Sequence, residues 1–190
     1  MHMYEEYKER ILQSAIKLYN EKGLKFTMDD ISSDLNMSKK TIYKVFSKKT
    51  NLLSYLVNYS FNAIKATEQA ILDNDELSHI EKLQGILSAL PLQMEEVDFR
   101  QLFKLKDRYP EVFEDVQERI ETGWEATISL IEICKEEGSI RDFNVDLFKV
   151  IYSSTIERFF TEDILNETGL LYSDVLKQVV DILMNGIIKK

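Results

Sequence analysis

The residues that decide the fold are GLKFTMDDISSDLNMSKKTIYKVFSKKTNLL, positions 23 to 53. Within them, Thr27-Met-Asp-Asp has the form of a helix start, in which the threonine caps the first turn and the acids complement the helix dipole. The helix that it opens ends at Asn36-Met37-Ser38, and Ser38 can cap another helix over about residues 39–46. Two short helices joined by a turn of about three residues predict a helix-turn-helix.

The second of these helices leaves one side free for recognition. Its apolar residues recur at i, i+3 and i+4 and define the buried side: Ile42, Val45 and Phe46. Lys40 and Lys44 fall on the opposite side, with Thr41 and Tyr43 on the flanks. Ammonium and hydroxyl groups in such positions suit phosphate oxygens, which position a protein on DNA, and base edges, which specify sequence.

Further polar residues lie where a DNA backbone would pass this motif. Thr27 and Ser38 are at helix N-termini, which favour phosphate, and Lys48 and Lys49 open the fourth helix. The predicted DNA-binding residues are Thr27, Ser38, Lys39, Lys40, Thr41, Tyr43, Lys44, Lys48 and Lys49. The alternative interpretation is structural: the hydroxyl residues only cap helices, and the lysines form a solvated helix surface.

The charge of the chain is divided between its two ends. The 190 residues carry a net charge of −9. Residues 1–60 contain ten basic and seven acidic residues, a net +3, whereas residues 61–190 contain 14 basic and 26 acidic residues, a net −12. Between Leu35 and Ser60 there are five lysines and no acid. A basic head on an acidic body is what a polyanion-binding segment requires, although a solvated lysine-rich surface has the same composition.

The apolar spacing of the remaining sequence is helical as well. Helices are predicted at about residues 4–22, 48–72, 78–90, 94–107, 111–137, 146–165 and 173–188, with Ser47 as the cap of the fourth helix. No segment alternates with period two for long enough to form a strand. The predicted fold class is therefore all-α, with a three-helix helix-turn-helix domain at residues 1–47 and a six-helix domain at residues 48–190.

The stretch from Gly23 to Leu53 resembles the N-terminal domain of TetR-type (tetracycline-repressor-like) transcriptional regulators. Its Gly, Thr, Ile, Ser, Tyr, Phe, Lys and Leu landmarks keep the spacing of that family, whereas Ser32, Asn36 and Lys40 depart from its usual pattern. The resemblance implies a homodimer that binds a palindromic operator in double-stranded DNA and releases it when a small-molecule effector occupies the C-terminal domain. It predicts a ligand-responsive regulator that acts as a repressor.

The resemblance also places an effector pocket and a dimer interface in the acidic domain. Phe61, Phe103 and Trp124 are predicted to line a largely apolar pocket, with ordinary core packing as the alternative. The last two long helices are expected to pair with their mates in the dimer, through Val150, Ser154, Val175, Val179 and Leu183. The alternative is that these helices only close the core of their own monomer.

No pattern predicts catalysis. Cys134 is the only cysteine and has no histidine near it in the sequence, and Glu76-Leu-Ser-His79 lacks the second motif that a di-iron bundle needs. We expect no catalytic residue, no metal site, no cofactor, no membrane span and a cytoplasmic location. Two rival functions stay open: a helical-bundle enzyme or small-molecule carrier with a vestigial basic head, and a non-specific architectural DNA-binding protein.

Overall fold

Helices account for almost all of the regular structure. The computed structural model describes residues 2–91, Met94 and residues 97–188, and its one extended pairing within them is an antiparallel bridge between Ile140 and Ile188. The predicted all-α class is confirmed. The α-helices are α1 (His2–Lys22), α2 (Met28–Asp34), α3 (Lys39–Val45), α4 (Lys49–Leu72), α5 (His79–Leu87), α6 (Leu105–Arg108), α7 (Pro110–Glu121), α8 (Glu125–Glu136), α9 (Val145–Thr161), α10 (Ile164–Thr168) and α11 (Tyr172–Ile187). Two 3₁₀ turns, Gly23–Lys25 and Phe99–Lys104, precede α2 and α6.

The helices α1, α2 and α3 and the first turn of α4 enclose a small core, which we call the head. Ile11, Ile31, Ile42 and Leu52 are completely shielded from solvent, and each comes from a different one of these four helices. Because α1 packs on both α2 and α3, it holds the two short helices in position relative to each other.

Both short helices of the head begin at their predicted caps. The Thr27 hydroxyl accepts a hydrogen bond from the Asp30 N–H at 3.1 Å, and the Asp30 carboxylate accepts one from the Thr27 N–H at 2.7 Å. This is a complete capping box. The Ser38 hydroxyl accepts a hydrogen bond from the Thr41 N–H at 3.1 Å.

The turn between α2 and α3 accounts for two departures from the usual pattern of TetR-type proteins. Asn36 adopts φ of 50°, a left-handed conformation that asparagine tolerates better than most residues. The Ser32 hydroxyl donates a hydrogen bond to the carbonyl oxygen of Met37 at 2.6 Å. Ser32 therefore ties the end of the turn to α2, which a small apolar residue at this position would not do.

The predicted start of the fourth helix is wrong in one detail. The helix begins at Lys49, and its first turn has no side-chain cap. The Ser47 hydroxyl instead donates a hydrogen bond to Oδ1 of Asn51 at 3.2 Å. Ser47 thus bonds to a side chain in the first turn of α4 and not to the backbone N–H groups.

Three of the predicted longer helices are also divided differently. The helix expected at residues 111–137 is two helices, α7 and α8, because Gly123 adopts φ of 74° between them. The helix expected at 146–165 ends at Thr161, ahead of the short α10. The helix expected at 94–107 is wrong at 97–104, where a bend and a 3₁₀ turn precede α6; residues 92, 93, 95 and 96 lie outside the described part of the chain.

The helices after the head form the rest of the protein, which we call the body, and its buried side chains continue the same hydrophobic core. In it α5 packs on α8, α4 on α7, and α9 on the Phe99–Lys104 turn. The largest completely or nearly completely buried side chains of the body include Leu83, Ile131, Val180 and Met184. With 24 residues, α4 is about 36 Å long, so it runs from the core of the head far into the body. None of the described helices is both long and apolar enough to cross a membrane.

Candidate DNA-binding surface, internal cavity and dimer face

The helix α3 presents the side that the sequence predicts. Ile42 is completely buried and Phe46, directly after the helix, is 5% exposed, so they fix the inner side of α3. Lys40 and Lys44 are exposed on the outer side, and Tyr43 beside them keeps 45% of its surface in solvent. A large aromatic residue left this exposed between two lysines is available for contact with a partner.

The predicted DNA-binding lysines differ in whether they already form an ion pair with a carboxylate. Lys39 forms an ion pair with Asp29 at 2.6 Å and Lys48 one with Glu111 at 3.5 Å, and all four side chains are more than half exposed. Exposed pairs of this kind are weak, so both lysines can exchange their partners for phosphate. No ion pair involves Lys40 or Lys44 in the described residues.

Lys49 does not lie on the exposed surface that carries Lys40 and Lys44. Its ammonium group donates hydrogen bonds to the carbonyl oxygens of Leu24, at 2.7 Å, and Phe26. It also lies 4.0 Å from the ring centroid of Phe26 and 5.4 Å from that of Tyr109. Lys49 therefore joins α4 to the connection between α1 and α2 and to the body.

The burial of Lys49 lowers its pKa. The position of Lys49 in α4 also indicates that it is buried. Burial, reinforced by the positive charge of Arg108, lowers the pKa of Lys49 to about 8. Leu52 and Leu53, three and four residues further along α4, are both buried, so helical periodicity places Lys49 on the same inner side. The charge of Lys49 alone suggested that its side chain faces solvent, whereas helical periodicity indicates that it faces the protein interior.

A large, partly open cavity lies in the body, with the head at one side of it. Its volume is about 460 Å³, within the range of small-molecule sites. Of the three residues predicted for an effector pocket, Phe61 and Trp124 line this cavity, whereas Phe103 is not among the lining residues. The wall also includes aromatic side chains that periodicity did not separate from the core: Tyr19, Tyr59, Phe99, Tyr152, Phe160 and Tyr172.

Several polar groups of the cavity wall are already bound within the protein. The Tyr152 hydroxyl donates to the carbonyl oxygen of Leu87 at 2.7 Å, and burial raises the pKa of Tyr152. Lys65 forms an ion pair with Glu68 at 2.7 Å. Nη2 of Arg119, also in the wall, donates to Oδ1 of Asn58 at 2.6 Å.

Residues 97–104, which we call the junction segment, contact both the cavity and the head. Val97, Phe99 and Leu102 line the cavity, and Phe99 stacks on Tyr172 with ring centroids 4.3 Å apart. On its other side the segment is bound to α1, because the Tyr19 hydroxyl donates to the carbonyl oxygen of Asp98 at 2.9 Å. The N–H of Asp98 donates in return to Oδ1 of Asn20 at 2.9 Å.

The last two long helices expose apolar side chains, which we call the α9–α11 face. It comprises Leu147 and Val150, both 57% exposed, Ile151, 45% exposed, and Ile182, 70% exposed. Of the residues predicted for the dimer interface, Val150 and Ser154 are exposed, Val179 and Leu183 are half-buried, and Val175 is buried in the core of the chain. The α9–α11 face therefore shares only Val150 with the predicted interface residues, and Leu147, Ile151 and Ile182 were not among them.

A helix-turn-helix head with an exposed, basic second helix, joined to a helical body, defines the class of DNA-binding transcriptional regulators. The sequence profile of the bacterial regulatory proteins of the tetR family matches residues 11–56. Over 179 residues the chain is 31% identical to the uncharacterized HTH-type transcriptional regulator YvaF of Bacillus subtilis (strain 168), with 94% of each chain covered. The chain belongs to the TetR family of transcriptional regulators.

Solved structures share the whole architecture. A putative transcriptional regulator from Saccharomonospora viridis in complex with choline superposes with a TM-score of 0.75 at 19% identity, and covers 98% of this chain and 100% of its own. A TetR/AcrR regulator from Thermobifida fusca superposes with a TM-score of 0.70 at 21% identity, and covers 95% and 98%. At these identities the likeness establishes the fold, and the body is included in it.

Proposed function

We propose that the protein is a ligand-responsive repressor that binds a palindromic operator as a homodimer and is released from it by a small molecule. The observation that carries the proposal is that the head itself forms part of the cavity wall. Gln13, Ile16 and Tyr19 of α1 and Leu24 of the following turn all line the cavity. A ligand in the body therefore contacts the DNA-binding head directly, besides acting through α4.

In this proposal α3 enters the major groove of the operator. Lys40, Tyr43 and Lys44 face the bases and the adjacent phosphates, because they are exposed on the helix, and the half-buried Thr41 lies on its flank beside them. Thr27, Ser38, Lys39 and Lys48 contact the backbone, and the lysines among them exchange their weak ion pairs for phosphate. Lys49 has an indirect role: it holds the start of α2 in position through its bonds to Leu24 and Phe26.

The homodimer follows from the α9–α11 face and the symmetry of a palindrome. Four large apolar side chains at 45–70% exposure on these two helices supply the apolar surface that a twofold interface would bury. A twofold dimer buries the same face of both subunits and places two heads on two equivalent half-sites. Val179 and Leu183, half-buried beside Ile182, form the edge between this interface and the core.

Release requires a ligand that binds more tightly to a protein conformation with the heads wrongly spaced for the operator. The junction segment is the element that we expect to respond, because a displaced Phe99 on the cavity side moves Asp98 on the head side. The likeness to a regulator in complex with choline supports a small molecule in the body as the signal.

The experiment is selection of bound sequences from random double-stranded DNA, followed by anisotropy titrations on the selected sequence. We expect a palindrome, and we expect Lys44→Ala to weaken binding by about tenfold to a hundredfold if it reads a base, or to lower the salt slope by about 1 if it meets phosphate. Lys177→Ala, which removes an exposed lysine of α11, is the control with the same charge change.

The rival functions predict different outcomes. A non-specific architectural protein binds with a steep salt dependence but selects no sequence. An enzyme or carrier with a vestigial head shows neither selection nor a difference between the two lysine variants. Either result contradicts the proposed function.

A further inference from the structure

We propose that the ligand of the cavity is an aliphatic carboxylate and that Arg119 is the residue that binds its carboxylate group. This inference rests on the proposed function, in which the cavity is the effector site. It concerns the chemistry of the ligand and not the existence of a ligand.

The apolar part of the ligand follows from the wall. Most of the residues that line the cavity are aliphatic or aromatic, and they come from both the head and the body: Ile16, Leu53, Leu56, Val57, Phe61, Ile64, Leu90, Val112, Val116, Trp124 and Leu176 among them. Such a wall binds hydrocarbon through the hydrophobic effect and gives little orientation to it. Orientation depends on the few charged groups.

Among the described lining residues, three carry a formal charge: Lys65, Glu68 and Arg119. Nζ of Lys65 lies 2.7 Å from Oε2 of Glu68 and donates to the carbonyl oxygen of Gly123 at 3.0 Å. The Glu68 side chain is only 15% exposed, whereas that of Lys65 is 47% exposed. The charge of Glu68 is therefore already balanced, and the net charge of the wall is that of Arg119.

The guanidinium of Arg119 has no carboxylate partner in the described part of the chain. Its one hydrogen bond there goes to Oδ1 of Asn58 at 2.6 Å, which is a neutral acceptor. Asp115, one helical turn before it, accepts a hydrogen bond from Ser54 at 2.7 Å instead. Of the five N–H donors of the guanidinium, four have no acceptor among these residues.

Asn58 also fixes the direction of the guanidinium. Its Nδ2 donates to the carbonyl oxygen of Ser54 at 2.9 Å, which turns Oδ1 towards Arg119. The guanidinium is half-buried, and its single bond within the described residues, to Asn58, leaves most of its N–H donors free to bind a ligand. A carboxylate satisfies it best, because its two oxygens match two parallel N–H donors and its charge is opposite.

A cationic ligand is a worse fit to the same wall. Trp124 and Tyr152 meet edge to face with ring centroids 5.4 Å apart, an arrangement that can attract a cation. However, Nζ of Lys149 already lies 5.8 Å from the Trp124 centroid, and Lys65 occupies Glu68. Both groups that would attract a ligand cation therefore have a cation of the protein beside them.

The test compares three probes that share one alkyl chain: dodecanoate, dodecanol and dodecyltrimethylammonium, each below its critical micelle concentration. Trp124 lines the cavity and is the only tryptophan of the sequence, so its fluorescence reports occupancy of this site. We expect dodecanoate to bind about tenfold to a hundredfold more tightly than dodecanol, and the ammonium probe to bind more weakly than either.

Two variants of Arg119 and one control make the test specific. Arg119→Gln keeps a hydrogen-bond donor for Asn58 and should bring dodecanoate down to the affinity of dodecanol, while dodecanol itself is unaffected. Arg119→Lys keeps the charge without the paired donors, so its affinity for dodecanoate should lie between those of the wild type and Arg119→Gln. Arg10→Gln removes an exposed arginine of α1 that does not line the cavity and should change nothing.

Equal or tighter binding of dodecanol or the ammonium probe overturns the inference, and so does no fluorescence change with any of the three. Retention of the dodecanoate preference in a folded Arg119→Gln variant overturns the role of Arg119. None of these results affects operator selection by the unliganded protein, so failure of the inference is distinguishable from failure of the proposed function.

Discussion

Replacement of Ile182 by alanine should weaken the dimer and leave the monomer intact. Ile182 keeps 70% of its surface exposed within one chain, the largest exposed fraction among the apolar side chains of the α9–α11 face. Its side chain therefore contributes little to the core of its own subunit. In a twofold interface the Ile182 side chains of both subunits become buried.

The magnitude follows from that exposed fraction. Complete burial of an isoleucine side chain stabilises by about 1.5–3 kcal/mol, so the fraction still exposed on Ile182 is worth about 1–2 kcal/mol. Twofold symmetry counts the substitution twice, which gives about 2–4 kcal/mol per dimer. The dissociation constant of the dimer should rise by about thirtyfold to several hundredfold.

Sedimentation equilibrium over a dilution series measures this constant. Ile128→Ala is the matched control, because Ile128 is a partly exposed isoleucine on α8, outside the α9–α11 face. Operator affinity should fall with dimerisation in the Ile182 variant and stay unchanged in the control. A wild-type monomer at micromolar concentration, or equal dissociation constants for the two variants, would refute the reasoning.

Two further substitutions test the head. Thr27→Ala removes one half of the capping box and should lower the free energy of unfolding by about 1 kcal/mol in a urea titration; no change would mean that Thr27 serves DNA alone. Lys49 has a pKa of about 8 when folded and 10.5 as the ordinary value, so between these pH values the unfolded state binds more protons. The stability of the wild type relative to Lys49→Met should therefore rise with pH across this window, and a constant difference would contradict burial of the ammonium.

The head could be predicted from sequence because its signals are local. Thr27 and Ser38 cap helices a few residues away, and Ile42 and Phe46 lie one turn apart, so spacing alone decides which side of α3 is buried. Lys49 shows the limit: charge suggested DNA contact, but its partners, Leu24 and Phe26, are more than twenty residues away in the sequence.

The body was less predictable because its features depend on distant segments. Helical spacing does not distinguish Trp124, which lines the cavity, from Phe103, which does not, since which aromatic side chain reaches the cavity depends on the packing of distant helices. The break at Gly123 depends on a left-handed conformation supported by Lys65 of α4. The orientation of the Arg119 guanidinium depends on Asn58, which no sequence motif connects to it.

The contact between the junction segment and α1 limits how freely this head can be exchanged. Gly23 adopts φ of 57°, and a Cβ there would lie 3.3 Å from the Gln101 side chain of the junction segment. This close approach and the hydrogen bonds of Tyr19 and Asn20 with Asp98 make the surface of the head that meets the body complementary to the junction segment of this protein. A chimera that transplants α1–α3 onto another regulator without residues 97–104 would lose these contacts between the head and the body.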